Sequence, residues 1–271
     1  MLPASELVEI VRAASRVEIM PRFRALNAAD IKVKSRADDL VTEAELVTER
    51  RITAAVAELM PAAAIVGEEA VAADPSILSR IADAETCVIL DPIDGTWNYA
   101  HGSSTFGVIL AVTHRGETVF GLLYDPVNDD WIEAERGGGA WFCRAGRREP
   151  LTLTPAPPLA EAHAFIAPYL LPPETRPALW SAMQAVGRAS SLRCSCHEYR
   201  MLATGAAQIG FAAMLNPWDH AAGVLIHREA GGVARLLDGR DYAPILHAGR
   251  LLLAADEAGW QAAAQHFPAD L

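Results

Sequence analysis

The chain has few cysteines, no long apolar run and no excess of positive charge. Its four cysteines, Cys87, Cys143, Cys194 and Cys196, are scattered through 271 residues. That spacing matches no disulfide framework of a small secreted scaffold, so a reducing, cytoplasmic setting is expected. No stretch reaches the roughly 18 uncharged apolar residues that a membrane span needs, and no membrane partner is expected. The opening MLPASELVEIVRAASR carries Glu6 and Glu9 on an amphipathic pattern, without the basic-then-apolar order of a signal peptide. Against 34 acidic residues stand 23 basic ones, for a formal charge of −11. That sign argues against a nucleic-acid partner, because phosphate backbones need a basic patch. Internal repeats and low-complexity tails are also missing.

What is present is enough apolar sequence for a sizeable core. Leu7, Ile10, Val11, Val17 and Met20 recur at helical spacing, which predicts a first helix opened by Ser5 as its cap and bent or ended by Pro21. Ala44, Leu46, Val47, Ile52, Val56 and Leu59 predict a second helix from about Thr42 to Leu59, closed by Pro61. Short apolar runs follow at 64–66, 87–90, 106–113 and 118–125, the last two joined as a hairpin by His114-Arg115-Gly116-Glu117. With WIEAE and AWFC as further strands, this half reads as two helices followed by a largely antiparallel sheet.

Eight prolines between Pro150 and Pro177 mark an irregular connector. Beyond it, strand and helix alternate: a strand at SSLR, a helix near Tyr199 to Thr204, a strand around QIGFAAM, a helix from about Trp218 to Ala230 and a late strand at LLLAA. This is an α/β layer. The expectation is one domain of two lobes, about 1–153 and 154–271.

Three acidic stations stand out: Gly67-Glu68-Glu69, Asp91-Pro92-Ile93-Asp94-Gly95-Thr96 and Asn216-Pro217-Trp218-Asp219. The first two follow apolar runs and sit at strand ends; the third opens a helix. Singly, each has a plain structural reading. A Glu pair is usually solvated, Asp219 alone is a helix cap and Asp-Pro opens turns. Together they offer hard oxygen ligands beside a glycine whose amide can approach an anion. Converging carboxylates repel one another unless a cation compensates them, and an all-oxygen set favours magnesium over zinc.

GEE at 67–69, DPIDGTWN at 91–98 and PWDHAAG at 217–223 resemble, in order and separation, the signature of the inositol monophosphatase family of magnesium-dependent, lithium-sensitive phosphatases. Lys34 with DDLVTEAE, ATG at 203–205 and EAGG at 229–232 extend the resemblance over roughly residues 30–260. It implies an α+β fold, an αβαβα layered sandwich of the inositol monophosphatase and fructose-bisphosphatase type, usually a homodimer. It implies Mg2+ held by the carboxylates of Glu68, Asp91, Asp94 and Asp219 and by the Ile93 carbonyl. Glu68, Thr96 and Asp94 would carry catalysis, Glu68 and Thr96 orienting the attacking water. Gly95 and Thr96 amides would hold the phosphate, with Arg193, Ser195 and Asp219 completing the substrate contacts. The substrate would be a small phosphorylated metabolite.

The chain also departs from the family pattern. Glu45 stands where the VTxxD segment of the family ends in an Asp that assists a further magnesium; the alternative for Glu45 is a solvated helix face. Ala212 replaces a Glu that binds ring hydroxyls in inositol-phosphate-selective members, and Arg193-Cys194-Ser195-Cys196-His197 replaces small residues. The leaving group stays open between inositol phosphate, histidinol phosphate, a nucleoside 3′,5′-bisphosphate and a sugar bisphosphate, as does a non-catalytic metal- or phosphate-binding regulator. Cys194, Cys196 and His197 do not have the spacing of a zinc site. Trp97, Tyr99 and His101 are either mouth-of-pocket or packing residues.

Overall fold

The computed structural model describes residues 2–34 and 40–267. Asp38 and Asp39 of the DDLVTEAE segment lie outside the described residues. Helix α1 (Ala4–Ala14) starts directly after Pro3 with no side-chain cap, so Ser5 lies within its first turn instead of capping it. The helix winds on through a wider π turn, Ser15–Ile19, and the chain turns away at Pro21. Two short antiparallel strands, β1 (Ile31–Val33) and β2 (Leu40–Thr42), lead into α2 (Glu43–Leu59).

Next come β3 (Ala64–Gly67), α3 (Glu68–Ala73), α4 (Arg80–Asp83), β4 (Thr86–Asp94) and α5 (Thr96–Ala100), then β5 (Gly107–His114), β6 (Glu117–Asp125), β7 (Asp130–Glu135), β8 (Ala140–Arg144) and β9 (Arg147–Leu151). Among the described residues β3 to β9 form a seven-stranded sheet in chain order. Only β3 and β4 are parallel; every other pair is antiparallel. The β5–β6 turn places Arg115 and Gly116 at φ of 51° and 78°, the left-handed pair that a two-residue hairpin requires.

The proline-rich stretch is not wholly a connector. It contains β10 (His163–Ile166), an interior strand of the second sheet, and the start of α6 (Arg176–Met183). Residues 159–167 between Pro158 and Pro168 are free of proline, and the four of β10 suffice for a strand. The strand expected at SSLR lies earlier, as β11 (Arg188–Ser190). Helix α7 (Ser195–Ala203), β12 (Ile209–Ala212), α8 (Pro217–Glu229), β13 (Val233–Leu236), β14 (Leu251–Ala254) and α9 (Glu257–Ala264) complete the chain. The second sheet has the order β11-β10-β12-β14-β13.

The strands alternate sides, and the layers follow from that alternation. Val88, Leu90, Leu110 and Leu122 face Leu7, Ile52 and Val56 of α1 and α2. Their neighbours Ile89, Ile109 and Leu123 face the opposite way, onto Tyr199, Ala222 and Leu225 of α7 and α8. The far side of those helices meets Phe165 and Leu253 of the second sheet. The outer face of that sheet, through Ile209, Phe211 and Leu252, is covered by Leu179 of α6 and Trp260 of α9. The result is an α+β fold in five layers, αβαβα. Among the described residues no helix is long and apolar enough to cross a membrane.

Candidate active site

In a regular strand, residues three apart point to opposite faces. Asp91 and Asp94 escape that rule because β4 is bulged: Asp91 pairs with Ile109 but Asp94 pairs with Gly107, so three steps on β4 match two on β5. Pro92 supplies no ladder N–H, and the Ile93 amide turns instead to Oδ1 of Asp91 at 3.1 Å. The extra residue re-aims the second carboxylate toward the first, as bulges do. Asp219, third residue of α8, brings the other carboxylate. One oxygen from each of Asp91, Asp94 and Asp219 lies within 4.8 Å of the other two.

Three carboxylates this close, with Asp91 and Asp94 buried, are electrostatically costly. Burial, then the charges of Glu68 and Asp94, hold the Asp91 carboxyl well above its usual range. Asp219 is raised in the same way, by burial and then by Asp94 and Glu68. Asp94 is raised less, to about 6, because burial is opposed by hydrogen bonds from Cys194, Cys196 and Ser195. Its Oδ2 accepts the Cys196 amide at 2.5 Å and the Cys194 thiol at 3.0 Å. A donor set made of carboxylate oxygens, mutually repelling and partly buried, is what a hard divalent cation relieves.

Glu68 opens α3 and lines the same cavity of about 570 Å³ as Asp94, Gly95, Thr96 and Asp219. Lys34 bridges Glu68 at 3.0 Å and Glu69 at 2.6 Å. Gly95 has φ +85°, and a Cβ there would stand 3.0 Å from the Thr105 carbonyl and 3.1 Å from the Cys194 side chain. Only glycine meets both demands. The Ile93 carbonyl faces Thr96 Oγ1 at 3.3 Å, and Ser195 and Arg193 line the cavity wall.

Glu45 is fully buried, not part of a solvated helix face. Its Oε1 accepts the Thr96 hydroxyl and its Oε2 accepts the Thr42 amide, each at 2.5 Å. Cys194, Cys196 and His197 do not converge: their side chains meet Asp94, the Tyr124 carbonyl and the Phe106 carbonyl respectively. Trp97 lines the cavity, His101 stacks on it at 4.1 Å and Tyr99 is a packing residue whose hydroxyl donates to the Ile19 carbonyl. Ala212, at the end of β12, faces an adjoining cavity of about 150 Å³ shared with Ser195 and Asp219.

Three further residues shape the site without a clear signal in the sequence. Asn98 holds the carbonyls of Thr105 and Leu192, both at 2.8 Å. Glu198, a half-buried acid in the first turns of α7, accepts the Leu192 amide at 2.7 Å. Tyr169 comes from the proline-rich stretch and lines the cavity.

Fold and site together define a five-layered α+β protein with a carboxylate cluster at a cleft. The chain belongs to the inositol monophosphatase family, whose sequence model matches residues 4–269. Inositol monophosphatase 2 of Homo sapiens is 32% identical over 214 residues, covering 75% of this chain and 70% of that one. The Nus factor SuhB of Vibrio cholerae is 28% identical over 252 residues, 89% and 87% of the two chains. In three dimensions the chain resembles extragenic suppressor protein suhB from Bartonella henselae, with a TM-score of 0.80 at 22% identity over 98% of each chain. An inositol monophosphatase from Zymomonas mobilis gives 0.78 at 25% identity, over 97% of this chain and 95% of that one.

Proposed function

We propose that this protein is a magnesium-dependent phosphatase that hydrolyses a small phosphate monoester by direct attack of water. The observation that carries the reading is the convergence of Asp91, Asp94 and Asp219 on one point of a cleft that also holds Thr96 and Glu68. Membership of a family that includes curated inositol monophosphatases supports it.

Glu68, Asp91, Asp94, Asp219 and the Ile93 carbonyl would hold the metal. When bound, it would offset the charge of the phosphate dianion, lower the pKa of water and stabilise the departing alkoxide. The protein's own contribution is placement. Gly95 leaves the backbone amides at the start of α5 able to approach a phosphate oxygen. Thr96 gives its hydroxyl hydrogen to Glu45, so its oxygen is left to accept a hydrogen from water. With Glu68 on the other side, that water is aimed at phosphorus, in line with the ester oxygen. A P–O bond forms to water as the ester P–O bond breaks, and the alcohol leaves with a proton. No residue is bonded to phosphorus at any stage.

The body of the substrate is less constrained. Ala212 gives a polyol ring no carboxylate to bind, which counts against inositol phosphate. The test is phosphate release from a panel holding inositol 1-phosphate, histidinol phosphate, a nucleoside 3′,5′-bisphosphate and a sugar bisphosphate, with magnesium and with chelator. Turnover of at least one, abolished by chelator, is expected; a panel on which nothing turns over leaves the non-catalytic reading as the better one.

A further inference from the structure

Arg193 has φ +54°, although it is not glycine. That conformation costs an L-residue about 1 kcal/mol or more, and a glycine would occupy it freely. The strain sits in a firmly held segment. Asn98 donates to the Leu192 carbonyl, Glu198 accepts the Leu192 amide and the Ser191 hydroxyl, and the Arg193 amide donates to Ser191 Oγ at 3.1 Å. The Arg193 carbonyl also packs against Gly95, 3.3 Å from where a Cβ would stand. The residue is therefore anchored beside the proposed phosphate cradle by its main chain.

Its side chain is placed as definitely. The guanidinium carbon lies 4.4 Å from the centre of the Trp97 ring and 5.2 Å from that of Tyr169. Two aromatic rings within cation–π distance hold the guanidinium at this wall. A guanidinium carries its donors in a planar fork that matches two oxygens of a phosphate or carboxylate. Trp97, Tyr169 and Arg193 all line the cavity whose floor holds Asp94 and Asp219. Lys34, which bridges Glu68 and Glu69, lines the same cavity. In so acidic a cleft, a second anion on the substrate would be repelled without a cation at this wall, and a cationic body would be disfavoured by one.

We propose that Arg193 is a specificity-determining residue that binds a second anionic group, phosphate or carboxylate, on the body of the substrate. The inference rests on the phosphatase reading above and narrows it to substrates with an anion a few bonds from the scissile ester. Trp97 and Tyr169 act as positioning residues for the guanidinium.

Matched pairs test it: glycerol 2-phosphate against 2-phosphoglycerate, which adds a carboxylate, and fructose 1-phosphate against fructose 1,6-bisphosphate, which adds a phosphate. Whichever pair shows the preference identifies the anion. The wild type is expected to prefer the second-anion member of at least one pair by about 10- to 100-fold in kcat/KM, the worth of one or two charge-assisted hydrogen bonds. Arg193→Gly, which suits the backbone and so keeps the fold, should bring that ratio toward one, mainly through KM. Arg193→Lys should restore part of it. A wild-type ratio near one in both pairs, or a ratio unchanged in Arg193→Gly, overturns the proposal. Calorimetric titration of the same pairs reads binding without turnover. If nothing is hydrolysed yet the second anion still tightens binding through Arg193, the phosphatase reading falls and the anion subsite stands; equal binding removes the subsite.

Discussion

The hydroxyl of Thr96 donates to Oε1 of Glu45 across 2.5 Å, tying the first residue of α5 to the first turn of α2. The other oxygen of Glu45 caps α2 through the Thr42 amide. Burial, then the charge of Glu68, pushes the Glu45 carboxyl up to about 8, against the pull of Thr96. One carboxyl group thus serves both a helix terminus and a proposed catalytic hydroxyl.

Glu45→Gln keeps the shape but offers one acceptor oxygen where two are used. A loss of about 100-fold in kcat, with KM little changed, is expected for a residue that orients an attacking group. Steady-state kinetics on any accepted monoester reads it. A kcat within a few fold of wild type would show that Thr96 needs no orientation from Glu45.

Gly95→Ala should destabilise the protein by roughly 1–2 kcal/mol from the left-handed backbone alone, with a further cost because the new methyl would stand 3.0 Å from the Thr105 carbonyl. Gly137→Ala is the control, since Gly137 has φ +74° in open space. Urea unfolding of the two variants compares strain with and without crowding. Equal losses would mean that the surroundings of Gly95 are looser than described.

Magnesium should raise the melting temperature, and by more at higher pH. In the metal-free fold Asp94 titrates near 6, above its ordinary 3.8. It therefore favours the fold below pH 4, and that contribution is lost as pH rises through about 6. A bound cation offsets the desolvation behind this loss and competes with protons for the same oxygens. Thermal melts from pH 4 to 7, with and without magnesium, should show the gain growing across that window and smaller in Asp94→Asn. A gain independent of pH would place the metal elsewhere.

His227 is buried in α8, its Nε2 donating to the Ala254 carbonyl at 2.8 Å. Desolvation is the main cause that lowers its pKa from 6.5 to about 4. The unfolded chain binds the extra proton between those values, so the stability contributed is full above pH 6.5 and is lost as pH falls toward 4. The shift corresponds to roughly 3 kcal/mol. The stability difference between wild type and His227→Gln should shrink by about that amount from pH 7 to 4 in urea titrations. A constant difference would mean that His227 has the same pKa in the fold as in the unfolded chain.

Much of this architecture is legible in the residues. The helix at 43–59 announces itself by apolar period, and strands β3 to β8 by short apolar runs bounded by turns. Each acidic station also falls where the reading placed it, at a strand end or a helix start. The failures are local. Strand β10 is hidden among prolines because its three apolar residues, Ala164, Phe165 and Ile166, are too few to outweigh their neighbours, although the sheet around them supplies the partners. Strand β9, RREPL, is exposed and polar at the sheet edge and has no apolar signal at all. The burial of Glu45 depends on Thr96, 51 residues away, and no local pattern encodes such a contact. Tyr169 and Glu198 carry no local signal for the same reason: what each does is set by the segment it meets.

The most direct measurement is release of inorganic phosphate by wild type and Asp94→Asn, side by side, with magnesium and with chelator. Turnover by wild type with magnesium, and loss of at least 100-fold on either chelation or substitution, is the result expected if the Asp91, Asp94 and Asp219 cluster holds the catalytic metal. Turnover that survives both chelation and Asp94→Asn would contradict it.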